Sequence, residues 1–311
     1  MVETSELDQY LTVAHHSKRW IRDRIADLLE SEKVVPSFSA AAVRLAEAAR
    51  NENTGMDEIA RIISMDAGLA TRCIQVASTG RFGGRKILHI DQALLMIGLV
   101  EVRRIAFSVG VMDRFTHMRI KMDWNRFWLH NILVARLTHK VAGAFRETCG
   151  LEYLAGLLHD IGKLIFENYF PREFEMIILR AMERRCGHIQ LETELLGLGH
   201  PQVGAAICDR LHLHGHVLRA IWYHHDPMNI RHTKDPVGDG GFLAACISVA
   251  DALANMANAN IDGARQIDHA FEDLPEWTFL NTFDMPHGLE LDLAAEIQSA
   301  EQDLHAFNGG A

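Results

Sequence analysis

Seven histidine and aspartate side chains lie in or beside apolar helical segments, and together they could surround one or two divalent cations. In chain order they are His130, His159, Asp160, His200, His224, His225 and Asp251. Neutral imidazole and carboxylate ligands suit zinc, manganese or iron, whereas the lack of a Cys-x-x-Cys pair argues against a structural zinc site. One histidine on an apolar helix is more often a core residue than a ligand, so the hypothesis depends on the whole set.

The His159-Asp160 pair lies in an apolar-periodic segment that predicts one helix from Tyr153 to Asn168. On a helical wheel, His159, Asp160 and Lys163 fall within about 100° of arc, beside an apolar stripe. A solvated polar face would give the same wheel. However, only three of the twelve residues from 155 to 166 are polar, which favours a helix covered on most sides. Buried ionisable groups need partners or a metal.

The composition limits the classes of partner. Lysine and arginine number 31 against 41 aspartates and glutamates, a formal charge of −10, so the chain is a poor general binder of nucleic acid. The longest apolar stretch, 242–254, is interrupted by Asp251, and no membrane-spanning helix is predicted. Met1–Gln9 carries no secretory signal, and five dispersed cysteines indicate a reduced, cytoplasmic protein.

Helical periodicity dominates the chain and alternating strand patterns are almost absent, so the predicted fold is all-α. Helices are expected at 40–50, 56–64 and 66–77, and Asp91 is expected to cap a helix that begins at Gln92. The aromatic side chains of 124–128 could be core, which we favour, or a platform for a nucleobase. Gly156 predicts the close approach of another backbone or of a ligand.

The ordered set of motifs resembles the HDOD (HD-related output domain) family of the HD metal-dependent phosphohydrolase superfamily. In the first half the motifs are Val35-Pro36, Asp66-Ala67-Gly68-Leu69, Ser78-Thr79-Gly80-Arg81-Phe82 and the segment from Ala93 to Gly98. Ala67 and Ser78 stand where the family usually has proline and asparagine. In the second half the motifs are Phe127-Trp128 with His130, the segment from Gly156 to Lys163, Glu194 with His200, and His224-His225.

This resemblance implies an HD-domain-like multi-helix bundle with an N-terminal helical subdomain. Residues 1–27 would be an N-terminal helical extension and 28–258 the HDOD domain. Within that domain, 28–120 would form the N-terminal helical half and 121–258 the half with the metal site. Residues 259–311 would form a C-terminal tail.

The family is similar to the HD-GYP cyclic dinucleotide phosphodiesterases, and the similarity implies a role for each ligand. Asp160 would bridge two metals, with His130, His159 and Asp251 completing one and His200, His224 and His225 the other. Lys163 would face the phosphate, so Lys163 and Asp160 are the candidate catalytic residues. The metal would be iron or manganese, with zinc as an alternative. Two cations would activate a shared water and clamp the phosphoryl oxygens.

Two departures from the active enzymes bear on function. No Gly-Tyr-Pro follows His225, and Arg126 stands four residues before His130, where these enzymes often carry a glutamate. Both argue against a third metal and against hydrolysis of cyclic di-GMP. Three functions stay open, in order of preference: a signalling output protein with a protein partner or a small nucleotide ligand, a dinuclear phosphohydrolase acting on a nucleotide or cyclic dinucleotide, and a helical scaffold with incidental histidines.

Overall fold

The computed structural model describes residues 17–31, 39–49, 54–118, 121–184, 186–213, 215–232, 239–259 and 271–308. The Val35-Pro36 motif and most of the predicted extension 1–27 lie outside these ranges. Within them the regular structure is α-helical with short 3₁₀ turns and without strands, so the predicted all-α class is confirmed. No described helix is both long and apolar enough to cross a membrane.

The α-helices are numbered in chain order. They are α1 (Lys18–Glu30), α2 (Ala40–Ala48), α3 (Met56–Ser64), α4 (Ala67–Ala77), α5 (Ile90–Ile97), α6 (Leu99–Phe115), α7 (Trp124–Phe145), α8 (Leu151–Leu158), α9 (Gly162–Tyr169), α10 (Pro171–Arg184), α11 (His188–Leu195), α12 (His200–Arg210), α13 (Gly215–Tyr223), α14 (Asp239–Met256), α15 (Pro275–Leu280) and α16 (Leu293–Phe307). Short 3₁₀ helices cover Gly80–Phe82, Pro227–His232 and Phe271–Asp273.

Side-chain caps explain where several helices begin. The Asp66 carboxylate accepts from the backbone N–H of Leu69 and starts α4, and Asp123 starts α7 in the same way. The predicted helix at 56–64 is confirmed as α3. The predicted cap at Asp91 is wrong, because α5 already begins at Ile90 and Asp91 lies in its first turn. A carboxylate there still favours the helix, since the N-terminal end carries partial positive charge.

The predicted continuous helix from Tyr153 to Asn168 is also wrong, because it divides into α8 and α9 at 159–161. At this junction the backbone N–H groups bond three residues back: Ile161 to Leu158 at 3.1 Å and Lys163 to Asp160 at 2.9 Å. Such bonds tighten the turn relative to an α-helix. His159 and Asp160 therefore lie on a tight turn between two helices and not on the face of one.

The central helix is α7, which packs against α8, α14 and α16. Phe127 and Trp128 have no exposed surface, so the prediction that the aromatic side chains are core is confirmed for them, whereas Trp124 is partly buried and packs against the core. The predicted close approach at Gly156 is confirmed too: a Cβ there would lie 2.7 Å from the Cα of Ala135 on α7. Gly162 has the same function on α9, because a side chain there would collide with the carbonyl group of His200.

The C-terminal helix α16 is held to α7 by ion pairs whose two carboxylates are buried. Arg136 on α7 contacts Glu296 Oε2 and Asp303 Oδ2, each at 2.8 Å. Lys140 lies 2.7 Å from Glu296 Oε1, and Arg81, from the loop after α4, lies 3.0 Å from Asp303 Oδ1. We call these five residues the charge clamp. The clamp joins the predicted tail to both predicted halves of the domain, whose boundaries stay a prediction.

Candidate metal centre

Five parts of the fold bring the seven predicted ligands to one buried point, which we call the HD centre. His130 comes from α7, His159 and Asp160 from the turn between α8 and α9, His200 from the first residue of α12, His224 and His225 from the turn that follows α13, and Asp251 from α14. Two groups of ligand atoms, each within 4.8 Å of one another, could hold a metal ion. Asp160 belongs to both groups.

The first group, Asp160 with His200, His224 and His225, has the atom spacing of a coordination shell. His200 Nε2 lies 3.0 Å from Asp160 Oδ1, 3.4 Å from His224 Nε2 and 3.1 Å from His225 Nε2. A cation bound about 2.0–2.1 Å from each ligand separates neighbouring ligand atoms by about 2.9–3.4 Å. The observed distances therefore fit one ion among these four side chains.

The second group, His130, His159 and Asp160, is slightly wider. Asp160 Oδ2 lies 3.6 Å from His130 Nε2 and 3.5 Å from His159 Nε2. Asp251 completes this side, because its Oδ1 lies 3.3 Å from His130 Nε2 and 4.0 Å from His159 Nε2. Asn255 donates to the same Asp251 oxygen at 2.9 Å and holds the carboxylate in place.

Hydrogen bonds fix the protonation of the imidazoles. In three of them Nδ1 contacts a backbone carbonyl: His130 with Ala259 at 2.7 Å, His159 with Gly156 at 2.8 Å, and His224 with Ile221 at 2.6 Å. A carbonyl oxygen only accepts, so each Nδ1 carries a proton, and in the neutral form of each ring Nε2 turns a lone pair to the centre. Lone pairs facing one another repel unless a cation lies between them, which is the arrangement that metal-binding histidines share.

The electrostatics favour the ligand forms of His159, His224 and Asp160. Although burial opposes it, the neighbouring carboxylates raise the pKa of His130 and of His200 above the ordinary value of 6.5. Burial lowers the pKa of His159 to about 4 and, together with the neighbouring imidazoles, that of His224 to about 3, so both are neutral at pH 7. Burial opposes ionisation of Asp160, but the Lys163 ammonium 2.6 Å away and the nearby histidines hold the pKa of that carboxyl well below its usual range. Neutral imidazoles around an ionised carboxylate form a donor set for a divalent cation.

Two buried atoms at the centre are left without a hydrogen bond among the described residues. They are His159 Nε2 and Asp160 Oδ1, in side chains that are at most 2% exposed. Asp160 Oδ1 lies near His200 Nε2 but accepts no hydrogen bond of acceptable geometry from it. An unsatisfied buried polar atom costs about 1–3 kcal/mol, and a metal ion would remove that cost. The residues present therefore fit a metal, while the role of each one stays a prediction.

Glu192 on α11 was missed by the sequence analysis, which singled out Glu194 beside it. Glu192 is fully buried, and its Oε2 lies 2.7 Å from both the backbone N and Nδ1 of His200. It therefore orients the imidazole and compensates the positive N-terminal end of α12. Glu194 is exposed and pairs with Arg184 at 3.0 Å. The available signal was spacing, because Glu192 lies one turn after buried His188 on α11 and one turn before buried Leu196, the residue that follows the helix.

Lys163, the second candidate catalytic residue, lies on α9 with its side chain 11% exposed. Its ammonium donates to Asp160 Oδ2. In this arrangement Lys163 compensates the charge of the carboxylate that both groups share. The contact of Lys163 with a phosphate group stays a prediction.

Known proteins similar to the chain share this architecture. The HDOD domain family matches residues 35–227. An HDOD domain protein of unknown function from Geobacter sulfurreducens superposes with a TM-score of 0.71 at 23% identity, covering 92% of this chain and 98% of its own. A candidate signal transduction protein from Marinobacter aquaeolei VT8 superposes with a TM-score of 0.70 at 20% identity, covering 96% of this chain and 68% of its own. A candidate metal-dependent phosphohydrolase from Shewanella amazonensis SB2B superposes with a TM-score of 0.53 at 19% identity, covering 93% of this chain and 100% of its own.

These structural similarities show that the chain has the same fold as the three proteins. In sequence, a protein of Treponema pallidum (strain Nichols), described as uncharacterized, is 26% identical over 258 residues, which is 82% of this chain. The match covers 46% of that relative, so this chain spans about half its length. The family match extends over more than half of the chain and includes six of the seven side chains of the HD centre. The chain therefore belongs to the HDOD domain family.

Proposed function

We propose that the chain is an HDOD-type signalling output protein whose HD centre binds one or two divalent metal ions. One observation carries the proposal: hydrogen bonds through Nδ1 direct three buried imidazole Nε2 atoms into the centre, where Asp160 Oδ1 and His159 Nε2 have no hydrogen bond among the described residues. A scaffold with incidental histidines would gain nothing from this arrangement, because unpaired buried polar atoms only destabilise it. The scaffold function is therefore disfavoured.

The assignment of ligands follows the two groups. Asp160 would bridge, with His130, His159 and Asp251 on one side and His200, His224 and His225 on the other. The first set has two carboxylates for two imidazoles, whereas the second has one carboxylate for three imidazoles. Mixed nitrogen and oxygen donors suit iron or manganese, with zinc as the alternative.

Two features favour signalling output over catalysis. The ligands are deeply buried: among them and the adjacent Lys163, only Lys163, His225 and Asp251 have more than a trace of exposed surface. Arg126 lies one turn before His130 on α7, so a cation stands where a carboxylate for a further metal would be needed. The name of the Marinobacter aquaeolei relative, a candidate signal transduction protein, agrees with this function.

The second candidate function is a dinuclear phosphohydrolase acting on a nucleotide or cyclic dinucleotide. The observation that favours it is the Lys163 ammonium 2.6 Å from Asp160 Oδ2. A metal at Asp160 would compete with Lys163 for this oxygen and free the ammonium to hold a phosphate. The bound metals would supply Lewis-acid activation of water and neutralisation of phosphate charge.

Metal titration tests the feature that both functions share. Mn²⁺ added to the metal-free wild type is expected to bind saturably and to raise the thermal unfolding midpoint. His159→Gln should bind at least tenfold more weakly, because it removes one ligand. His305→Gln is the matched control, since His305 is exposed on α16. Equal binding by wild type and His159→Gln would contradict the proposal.

Turnover separates the two functions. The metal-loaded protein is assayed with bis(p-nitrophenyl) phosphate and with cyclic dinucleotides, and Asp160→Ala serves as the background. Metal binding without turnover above that background is the result that signalling output predicts. Turnover that vanishes in Asp160→Ala would instead establish the phosphohydrolase.

A further inference from the structure

One oxygen atom of Glu192, beside the HD centre, is buried without a hydrogen bond among the described residues. This atom is Oε1, in a side chain with no exposed surface. The other oxygen, Oε2, accepts from the backbone N–H of His200 and lies 2.7 Å from its Nδ1. An unsatisfied buried carboxylate oxygen destabilises the fold, so a donor that can reach Oε1 would bind there favourably.

The ammonium group of Lys163 is a donor within electrostatic range of Glu192. Burial opposes the charge of Lys163, but Asp160 first and Glu192 second raise its pKa above the ordinary value of 10.5. Burial likewise opposes the charge of Glu192, and His200 first and Lys163 next lower the pKa of that carboxyl. Gly162 packs so closely on α12 that a side chain there would collide with the carbonyl group of His200. The backbone beside Lys163 thus contacts the same residue that Glu192 bonds.

In this structure the Lys163 ammonium bonds an oxygen that a metal ion would need. Its partner, Asp160 Oδ2 at 2.6 Å, also lies 3.6 Å from His130 Nε2 and 3.5 Å from His159 Nε2, so this oxygen faces the second group of ligands. A divalent cation bound there would repel the ammonium strongly, because water screens charges little in a buried site. The Lys163 side chain is 11% exposed, so little of it contacts solvent. The ammonium then needs another acceptor.

Two acceptors are open to an ammonium released from Asp160: Glu192 Oε1 within the fold, and a phosphate group from outside. Oε1 belongs to every molecule and is part of an ionised carboxylate, whereas phosphate must be bound from solution. A pair between Lys163 and Glu192 would also join two buried charged groups, the arrangement in which buried charge is tolerated. Glu192 is therefore the acceptor that the geometry favours.

We propose that Lys163 is a switch that bonds Asp160 in the metal-free protein and Glu192 Oε1 when the HD centre holds a metal ion. The inference rests on the proposed function, because it requires metal binding at Asp160. In both states the ammonium has a buried carboxylate as its partner. The pair with Glu192 joins α9 to α11, whereas Asp160 is only three residues from Lys163. Metal binding therefore changes a contact between two helices, which is a difference that a signalling partner can detect.

The test is a zinc titration of the full-length protein labelled with ¹⁵N-lysine, because Zn²⁺ is diamagnetic. The Lys163 ammonium signal is assigned by its absence from Lys163→Arg. Saturating zinc is expected to shift this signal in the wild type and to leave it protected from exchange with water. In Glu192→Gln the ammonium should exchange, because an amide that keeps its oxygen on His200 presents an NH₂ group in place of Oε1. Glu194→Gln, an exposed control, should match the wild type. Equal protection in Glu192→Gln and the wild type would overturn the proposal.

Metal affinity gives a second test that does not depend on the NMR signal. Lys163→Met removes the competitor for Asp160, so it should bind Zn²⁺ about tenfold more tightly than the wild type, whereas loss of a ligand weakens binding. Lys86→Met removes an exposed lysine and should leave the affinity unchanged. Equal or weaker binding by Lys163→Met would overturn the switch, as would a Lys163 signal that inorganic phosphate shifts in the zinc-loaded protein. Zinc binding with an unmoved lysine signal excludes the switch alone, whereas no zinc binding also excludes the proposed function.

Discussion

The HD centre is buried, as are Arg136, Glu296 and Asp303 of the charge clamp, and both clusters use helix α7. Their charges are nevertheless compensated in different ways. His130 and Arg136 are six residues apart, about 240° around the helix, so they face different neighbours. In the clamp each oxygen of Glu296 and Asp303 has a cationic partner. In the HD centre His159 Nε2 and Asp160 Oδ1 have no hydrogen bond with any part of the chain that the structure describes.

The difference indicates separate purposes. A buried ion-pair network with every group paired is tolerated in a folded protein, and it fixes α16 against α7. Buried imidazole lone pairs and carboxylates that share too few protons for hydrogen bonding destabilise the fold, unless a cation binds between them. We therefore expect clamp variants to change stability without changing metal binding, and HD-centre variants to do the reverse.

The largest effect is expected from Arg136→Met. It leaves Glu296 and Asp303 buried without their shared partner, and breaking a buried ion pair in this way costs about 3–5 kcal/mol. Urea unfolding measures the loss, and metal content per folded molecule should not change. Arg85→Met controls for removal of an exposed arginine. A loss below about 1 kcal/mol would mean that the clamp does not hold α16.

His159→Gln should give the opposite pattern. Metal at about 100 times its dissociation constant stabilises the wild type by about 2.7 kcal/mol, and this gain should largely disappear in the variant. The metal-free variant should unfold within about 1 kcal/mol of the metal-free wild type, because the apolar faces of α8 and α9 are unchanged. A large loss of metal-free stability would instead make His159 a core residue.

Glu192→Gln sharpens the comparison at a residue that no metal would touch. The amide is the same size but is a weaker acceptor for His200 Nδ1, so metal affinity should fall about 10–100-fold. Glu194→Gln, two residues along the same helix, should have no effect because that side chain is exposed. Equal metal affinity in the two variants would show that Glu192 does not orient His200 for metal binding.

The smallest effect concerns the pH dependence of the clamp. Although burial opposes it, Lys140 and Arg136 lower the pKa of Glu296 from its ordinary value of 4.5. Its stabilising contribution is therefore present above about pH 4.5 and lost as pH falls through the lowered value. Wild type and Glu296→Gln should differ by about 1 kcal/mol at pH 7 and converge in acid. Glu301→Gln, exposed on the same helix, should match the wild type throughout.

The sequence predicted the elements whose signal is local. Helix α3 was predictable because its isoleucines repeat with the helical period and Asp66 follows its end, and the structure confirms it at 56–64. The tight turn at 159–161 could not be predicted, since its apolar periodicity continues through the break. What separates α8 from α9 is the packing of Gly156 on α7 and of Gly162 on α12, which depends on distant parts of the chain.

The ligand set was predicted from the family resemblance, whereas its supporting contacts were not. Glu192 acts on a residue eight positions away, and Arg136 and Asp303 are 167 positions apart. Neither contact follows from the repeat of residues along one helix, because its two partners lie on different helices. Burial of charge was the missing information, because it is a property of the tertiary fold.

Metal content measured by mass spectrometry on the folded protein tests the central claim most directly. The wild type is loaded with Fe²⁺ or Mn²⁺ and then freed of loosely bound ions. The account predicts one or two tightly held ions per chain in the wild type and in Arg136→Met, with loss in His159→Gln. Less than about a tenth of an ion per folded wild-type chain would contradict it, because a formed site of this kind retains its metal.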